Sequence, residues 1–179
     1  MIIYKDIVSG DEIISDTWSL KEIDDAVYEI DCKKVTKGMD NIDIGANPSA
    51  EEQEETLEEG AKQVIDVVDA FRLNYLGDEA TGSRAFGTKK DYMGQLKTYM
   101  KKVTEKMKEA GADDAQVKAF QSGAQNYYTK KIAPNFKDFD FYLGESMDTD
   151  GMVVLLNYRE DGMTPYITIW KYGLTEMKV

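Results

Sequence analysis

Two consecutive helical patterns in the middle of the chain constrain the fold more than any other feature of the sequence. In the first pattern, apolar residues recur at spacings of three and four over residues 92–107, after a stretch at 88–91 that resembles a capping box. Gly111 ends this pattern, and Asp113 begins a second one with the same apolar periodicity. The connection between them is short, so the sequence predicts an antiparallel helical hairpin over about 88–132.

Strand-type patterns lie on both sides of the hairpin. Apolar residues alternate or run continuously in five segments, two before the hairpin and three after it. These segments are residues 2–8, 26–35, 139–143, 152–158 and 166–170. Neither group holds enough strands for a core of its own, so we expect the two groups to share one sheet system. The predicted fold is α+β, in a single domain over 1–179.

Two further segments have patterns that are harder to assign. Residues 18–23 follow a polar stretch and are predicted to form a single helical turn. Residues 64–76 fit both the strand period and the helix period. The β-branched residues in that segment favour a strand, which is the prediction made for it.

The chain has no histidine and a single cysteine, Cys32, which excludes several kinds of active site. Cys/His zinc sites and Ser-His or Cys-His catalysis are ruled out. A glycine-rich phosphate-binding loop is absent, and no pair of carboxylates forms a defensible acid/base pattern. We therefore predict a binding protein that is not an enzyme and requires no cofactor. The lone cysteine and the lack of an 18-residue apolar run predict a cytoplasmic protein without membrane insertion.

The net charge of −12 is distributed unevenly along the chain. Residues 83–137 carry a net charge of +7, whereas the rest of the chain carries −19. This contrast predicts that hairpin lysines, Lys97, Lys101 and Lys102 among them, bind an acidic protein surface. A solvated helix face would produce the same pattern and is an equally good interpretation. Nucleic acid is not expected as a partner, because the acidic remainder repels phosphate.

An acidic segment without anchors precedes the hairpin. Residues 40–59 contain eight acidic side chains, no basic one and few apolar ones. Such a composition cannot compensate for the entropy lost on ordering. The sequence therefore predicts a mobile acidic loop over about 40–60, which is long for a connection in a compact domain.

Two long motifs stand in this loop and near the C-terminus. The first is Ile-Gly-Ala-Asn-Pro-Ser-Ala-Glu at 44–51, and the second runs through 141–153, 157–162 and 164–166. The signature residues of the first motif are Ile44, Gly45, Asn47, Pro48, Ser49 and Glu51. Together with the opening residues 1–6, these motifs resemble those of the translationally controlled tumour protein family. The resemblance extends from end to end in the expected order, so chance is a poor explanation.

The resemblance implies a fold and a set of partners. The family fold is a β-tent, similar to small Rab GTPase chaperones, with a projecting helical hairpin and a mobile loop. Those chaperones hold zinc through cysteines, which this chain cannot do. Family members are described as acting on small GTPases of the Rheb type, as binding calcium and tubulin, and as promoting growth and survival.

Two functional interpretations follow from the resemblance. The first is a cytosolic, non-enzymatic regulator of small GTPases of the Rheb or Rab type. The alternative is a calcium- and tubulin-binding protein with only a minor role on GTPases. Some family members end in a cysteine that supports disulfide dimers, but this chain ends in Met-Lys-Val at 177–179, which predicts a monomer.

The resemblance also points to individual residues. Glu12, with Asp11 beside it, matches the family position implicated in GTPase contact, although ordinary turn acids would look the same in the sequence. Tubulin is the family's candidate for the acidic partner of the hairpin lysines. Hard oxygen ligands for calcium could come from a short stretch near the C-terminal motif, where a solvated turn is the simpler interpretation and only weak binding is expected. The candidate ligands are Glu145, Asp148 and Asp150.

Overall fold

The computed structural model describes residues 1–37, 62–78, 81, 83–84 and 86–179 of the chain. The predicted acidic loop over about 40–60 lies outside the described residues. The same is true of the residues of the first motif, which are Ile44, Gly45, Asn47, Pro48, Ser49 and Glu51. The prediction that this loop is mobile therefore stays a prediction.

Six antiparallel strands form the main sheet of the molecule. In chain order, these strands are β3 (Lys21–Ile23), β4 (Val27–Asp31), β7 (Asn74–Tyr75), β10 (Asp140–Leu143), β11 (Val154–Tyr158) and β12 (Pro165–Trp170). Across the sheet the order is β3-β4-β12-β11-β10-β7. Strands from both ends of the chain thus share one sheet, and the α+β prediction is confirmed.

The two central strands of the main sheet, β11 and β12, contain the most apolar part of the sequence. Every residue of β12 is buried, and the first three residues of β11 are buried as well. A strand with neighbours on both edges and side chains covered on both faces takes mostly apolar residues, and the buried Thr168 of β12 is an exception that shares a hydrogen bond with Tyr127. The nearly continuous apolar run at 152–158, interrupted by Asn157, therefore includes a central strand, as the sequence predicted.

A second sheet joins the two ends of the chain. β1 (Ile2–Asp6) pairs with β2 (Glu12–Ser15) on one side and with β13 (Leu174–Lys178) on the other. Two small ribbons pair β5 (Lys34–Lys37) with β6 (Lys62–Ile65) and β8 (Gly77–Asp78) with β9 (Ser83–Arg84).

The helical hairpin is present with the predicted caps. Helix α2 (Lys89–Glu109) begins after Thr88, whose hydroxyl accepts a hydrogen bond from the third residue beyond it. Gly111, at φ +93°, lies in the connection, where a left-handed backbone suits glycine. Helix α3 (Asp114–Tyr127) begins with a complete capping box formed by Asp113, and a π-helical turn, Tyr128–Ile132, continues it. The N-caps and the extent of the hairpin agree with the sequence prediction, except that Thr88 forms the N-cap bond alone, without the return bond of a capping box.

The prediction of one strand over 64–76 is wrong. The segment contains the end of β6, a short helix α1 (Asp66–Ala70), and then β7. The carboxylate of Asp66 accepts hydrogen bonds from the backbone N–H groups of Lys33 and Val67, which holds the chain in a turn at this point. The bond from Lys33 comes from a residue distant in sequence, so the local pattern carried no sign of it.

The helical turn predicted for residues 18–23 is also wrong. The structure forms β3 there, because Lys21–Ile23 pairs with β4. Trp18 is held before the strand by a hydrogen bond of 3.0 Å from its indole nitrogen to Asp66. Strand pairing and this long-range bond outweigh the weak local helix signal.

Asp6 anchors helix α2 to the rest of the fold. Its side chain is buried, with 2% exposure. One carboxylate oxygen accepts from the hydroxyl of Tyr99 at 2.9 Å, and the other accepts from the backbone N–H of Met152 at 2.8 Å. Burial and the neighbouring carboxylate raise the pKa of Tyr99 well above its usual value, so the phenol keeps its proton and donates.

Glu29 anchors helix α3 in a similar way. This buried carboxylate accepts a hydrogen bond of 2.7 Å from the hydroxyl of Tyr127 and forms ion pairs with Lys131 and Arg159. Burial alone would raise the pKa of Glu29, but the hydrogen bonds from Arg159, Tyr127 and Lys131 lower it below its usual value. Glu29 therefore stays ionised inside the protein, where its carboxylate is paired with Lys131 and Arg159.

We expect Tyr99→Phe to reduce the free energy of unfolding by about 1–3 kcal/mol, because Asp6 stays buried after losing a donor. Tyr92→Phe is the matched control. Tyr92 is equally buried in α2, but its hydroxyl has no hydrogen-bond partner among the described residues, so its removal should leave stability unchanged or raise it. Urea unfolding of both variants measures the difference. Equal losses in the two variants would show that the bond to Asp6 contributes nothing specific.

Candidate functional site

The two candidate GTPase-contact acids lie in different environments. Glu12 is the first residue of β2 and is exposed, and its carboxylate forms no ion pair within the described parts of the chain. Asp11 is partly buried, and its carboxylate accepts from the hydroxyl of Ser146 at 2.7 Å and from the backbone N–H of the same residue. The structure therefore leaves Glu12 available to a partner and uses Asp11 internally.

The segment that Asp11 contacts is the connection between β10 and β11, called here the 144–151 loop. Gly144 lies so close to Asp11 that an added Cβ atom would stand 2.4 Å from its carboxylate oxygen. On the other side, the amide of Asn74 donates to the carbonyl of Gly144 at 2.9 Å. Gln95, from α2, donates to the carbonyl of Gly151 at 3.1 Å. The loop is therefore fixed by β2, β7 and the hairpin together.

The three candidate calcium ligands belong to the same loop, but they point to different partners. Glu145 forms an ion pair with Arg72 at 3.0 Å, and Asp150 forms one with Lys102 at 3.3 Å. Asp148 accepts a hydrogen bond from the backbone N–H two residues later. Within the described residues, no group of three or more Asp, Glu, Cys or His side chains is arranged to hold a metal ion. Calcium binding by these residues stays a prediction.

The three candidate lysines are divided between two places. Lys97 and Lys101 line a groove of about 550 Å³ that runs between α2 and α3, called here the hairpin groove. Its apolar wall includes Met93, Met100 and Tyr128. Lys102 instead reaches the 144–151 loop through its ion pair. The spacing of these lysines in the sequence did not reveal this division, because it depends on which elements pack against each side of α2.

The methionines of the hairpin groove are functional candidates that the sequence did not identify. The apolar repeat over residues 92–107 does not distinguish Met93 and Met100 from the residues that face the core. Both are only partly buried and face the groove. Methionine is unbranched and polarizable, so it adapts to the shape of a partner surface. The hairpin groove therefore combines apolar side chains with the two basic ones of Lys97 and Lys101.

Cys32 is the single cysteine, and it is buried. Burial raises the pKa of its thiol to about 12, so the reactive thiolate is scarce at neutral pH. Nothing in this environment favours a nucleophilic role. In the described ranges, no helix is long and apolar enough to cross a membrane.

Comparison with known proteins gives consistent matches over the full length. The profile of the family described as "Translationally controlled tumour protein" matches residues 1–175. A "Translationally-controlled tumor protein homolog" from Alternaria alternata is 57% identical over 179 residues, with all of both chains covered. The homolog from Saccharomyces cerevisiae is 50% identical over the same length, again with full coverage of both.

Two solved structures are similar in fold. The translationally controlled tumor-associated protein p23fyp from Schizosaccharomyces pombe superimposes with a TM-score of 0.75 at 48% identity, and all of both chains is covered. The solution NMR structure of the translationally-controlled tumor protein from Caenorhabditis elegans superimposes with a TM-score of 0.67 at 31% identity. That match covers 100% of this chain and 99% of the other.

Proposed function

This chain belongs to the translationally controlled tumour protein family, and from that premise we propose that it is a non-enzymatic regulator of small GTPases of the Rheb or Rab type. Glu12 is proposed as the residue that contacts the GTPase. The observation that carries this proposal is the contrast between two adjacent acids, since Asp11 is held by Ser146 whereas Glu12 is exposed.

The position of Glu12 suits a selective contact. Residues 13–15, which follow it in β2, are all buried, so the strand that presents its carboxylate is firmly held. A charge at the edge of an interface changes the association rate and selects among partners more than it adds affinity. The backbone at Glu12 is held, and its carboxylate could pair with a basic residue of a GTPase without first breaking an internal ion pair among the described residues.

We expect Glu12→Val to leave the free energy of unfolding within about 0.5 kcal/mol of the wild type, as is usual for an exposed substitution. Binding to a nucleotide-free Rheb-type GTPase should weaken several-fold, because the pairing charge is lost. A thermal melt beside a binding titration measures both. Glu160→Val is the matched control, since Glu160 is also an exposed acid but lies in the turn after β11.

The two variants separate the possible outcomes. Unchanged binding for Glu12→Val would contradict the role of this residue. A lower melting temperature with a proportionate loss of binding would mean that Glu12 supports the fold instead. Equal weakening by Glu160→Val would indicate a general effect of net charge.

A second candidate function is tubulin binding, with calcium as a weak additional ligand. The observation that favours tubulin is the hairpin groove, where Lys97 and Lys101 stand beside an apolar wall. An acidic protein surface with a few apolar side chains would match both properties. Lys102 is less suited to tubulin binding, because its ion pair with Asp150 would have to break first, and that cost would offset part of the binding free energy.

We expect the double variant Lys97→Glu/Lys101→Glu to weaken tubulin binding by about tenfold, which corresponds to roughly 1.4 kcal/mol. Binding of the wild type should also weaken as salt is added. Lys118→Glu/Lys108→Glu is the control, with the same change of charge on exposed residues of the hairpin outside the groove. Cosedimentation with microtubules measures each variant. Equal losses in both double variants would assign the effect to net charge and contradict a specific groove.

A further inference from the structure

The 144–151 loop presents one apolar side chain to solvent in an unfavourable backbone conformation. Met147 is 46% exposed, and its φ angle is +58°. This left-handed region is favourable for glycine and costs energy for most other residues. Strain of this kind persists only where the surrounding structure over-determines the conformation, and it is often found at functional positions.

The surroundings of Met147 show what holds it. The backbone N–H of Met147 donates to the carbonyl of Gly144 at 3.0 Å, which closes a tight turn. Within this turn, Ser146 is bonded to Asp11, and Glu145 is paired with Arg72. Arg72 itself has a φ angle of +53°. The turn that contains Met147 and the residue that pairs with this turn through Glu145 therefore both have left-handed backbone at a residue that is not glycine.

The same contacts connect Met147 to Glu12. Ser146 precedes Met147, and Asp11 precedes Glu12, so each of the two exposed residues directly follows one member of a pair joined by a hydrogen bond of 2.7 Å. The backbones of Glu12 and Met147 are therefore held in one region of the molecule by the same contact. A residue whose backbone is fixed before binding loses less entropy when a partner covers its side chain.

We propose that Met147 is the central apolar contact of the surface that binds the GTPase, with Glu12 and the Arg72–Glu145 ion pair at its edge. This inference rests on the proposed function. It identifies the partner surface as one with an apolar depression for the thioether and a basic residue for Glu12. Interfaces of this type concentrate their energy in a few central residues and use charges around them for selection.

Two substitutions of Met147 separate binding from stability. Met147→Ala removes most of the side chain and keeps the strained backbone, so the melting temperature should stay nearly unchanged. Met147→Asn suits a left-handed residue better and should raise the melting temperature by about 2 °C. Both should weaken binding to a nucleotide-free Rheb-type GTPase by at least about fivefold. Gain of stability with loss of binding in one variant is a result that a purely structural role does not produce.

Met163→Ala is the matched control. Met163 is even more exposed, at 77%, but it lies in the turn before β12 and is not connected to Glu12 by the contacts above. We expect its variant to bind and melt as the wild type does. A binding loss for Met163→Ala equal to that of Met147→Ala would overturn the proposal, because exposed methionines in general would then be responsible.

Titration of the variants beside Glu12→Val distinguishes the two claims. Loss of binding in Glu12→Val with full binding in both Met147 variants would overturn the inference and leave the proposed function standing. Loss in the Met147 variants with full binding in Glu12→Val would support Met147 as the central contact and overturn the place of Glu12 at its edge. Absence of binding by the wild type to Rheb-type and Rab-type GTPases would overturn the proposed function and this inference with it.

Discussion

A buried carboxylate needs several hydrogen-bond donors, and Asp6 obtains them from three separate parts of the chain. It accepts from the turn after β1 through Val8 and Ser9, from helix α2 through Tyr99, and from Met152, the residue that follows the 144–151 loop. A network of this kind is stable only when each member is in place. One side chain therefore links the sheet that joins the chain ends to helix α2 of the hairpin and to the segment that leads into β11.

This arrangement separates internal charges from external ones. The carboxylates of Glu29 and Asp11 each accept hydrogen bonds from other residues of the protein. Glu12 is exposed, and its carboxylate forms no ion pair among the described residues. The same separation divides the lysines, since Lys102 is paired and Lys97 lines a groove. A chain with these features presents exposed charges and a groove on a well-packed support, and the proposed function in binding rests on them.

The sequence was sufficient wherever the deciding interaction was local. The N-caps Thr88 and Asp113 lie within three residues of the N–H groups with which they form hydrogen bonds. The apolar residues at 152–158 are themselves the signal that predicts a buried strand there. It was insufficient where the partner was distant. A short helix begins at Asp66 where the sequence predicted a strand. Asp66 accepts hydrogen bonds from Trp18 and Lys33, and no local sequence pattern reveals these distant partners.

The candidate site follows the same rule. The resemblance to a family pointed to Glu12, but only the structure separates it from Asp11, whose partner Ser146 is far along the chain. The left-handed conformation of Met147 also depends on contacts from other elements, so residue type gave no indication of it. Division of the hairpin lysines required the packing of the 144–151 loop against α2.

The position of β12 in the sheet determines when the protein can fold. β4 is made early in synthesis, yet it pairs with β12, and β1 pairs with β13 at the very end of the chain. The hairpin contains local contacts and can form while synthesis continues, but the two sheets cannot be completed before β12 and β13 have left the ribosome. Until then the apolar residues of β4 lack the neighbouring strand that buries them, so one of the first surfaces that this chain exposes during synthesis is part of its own future core.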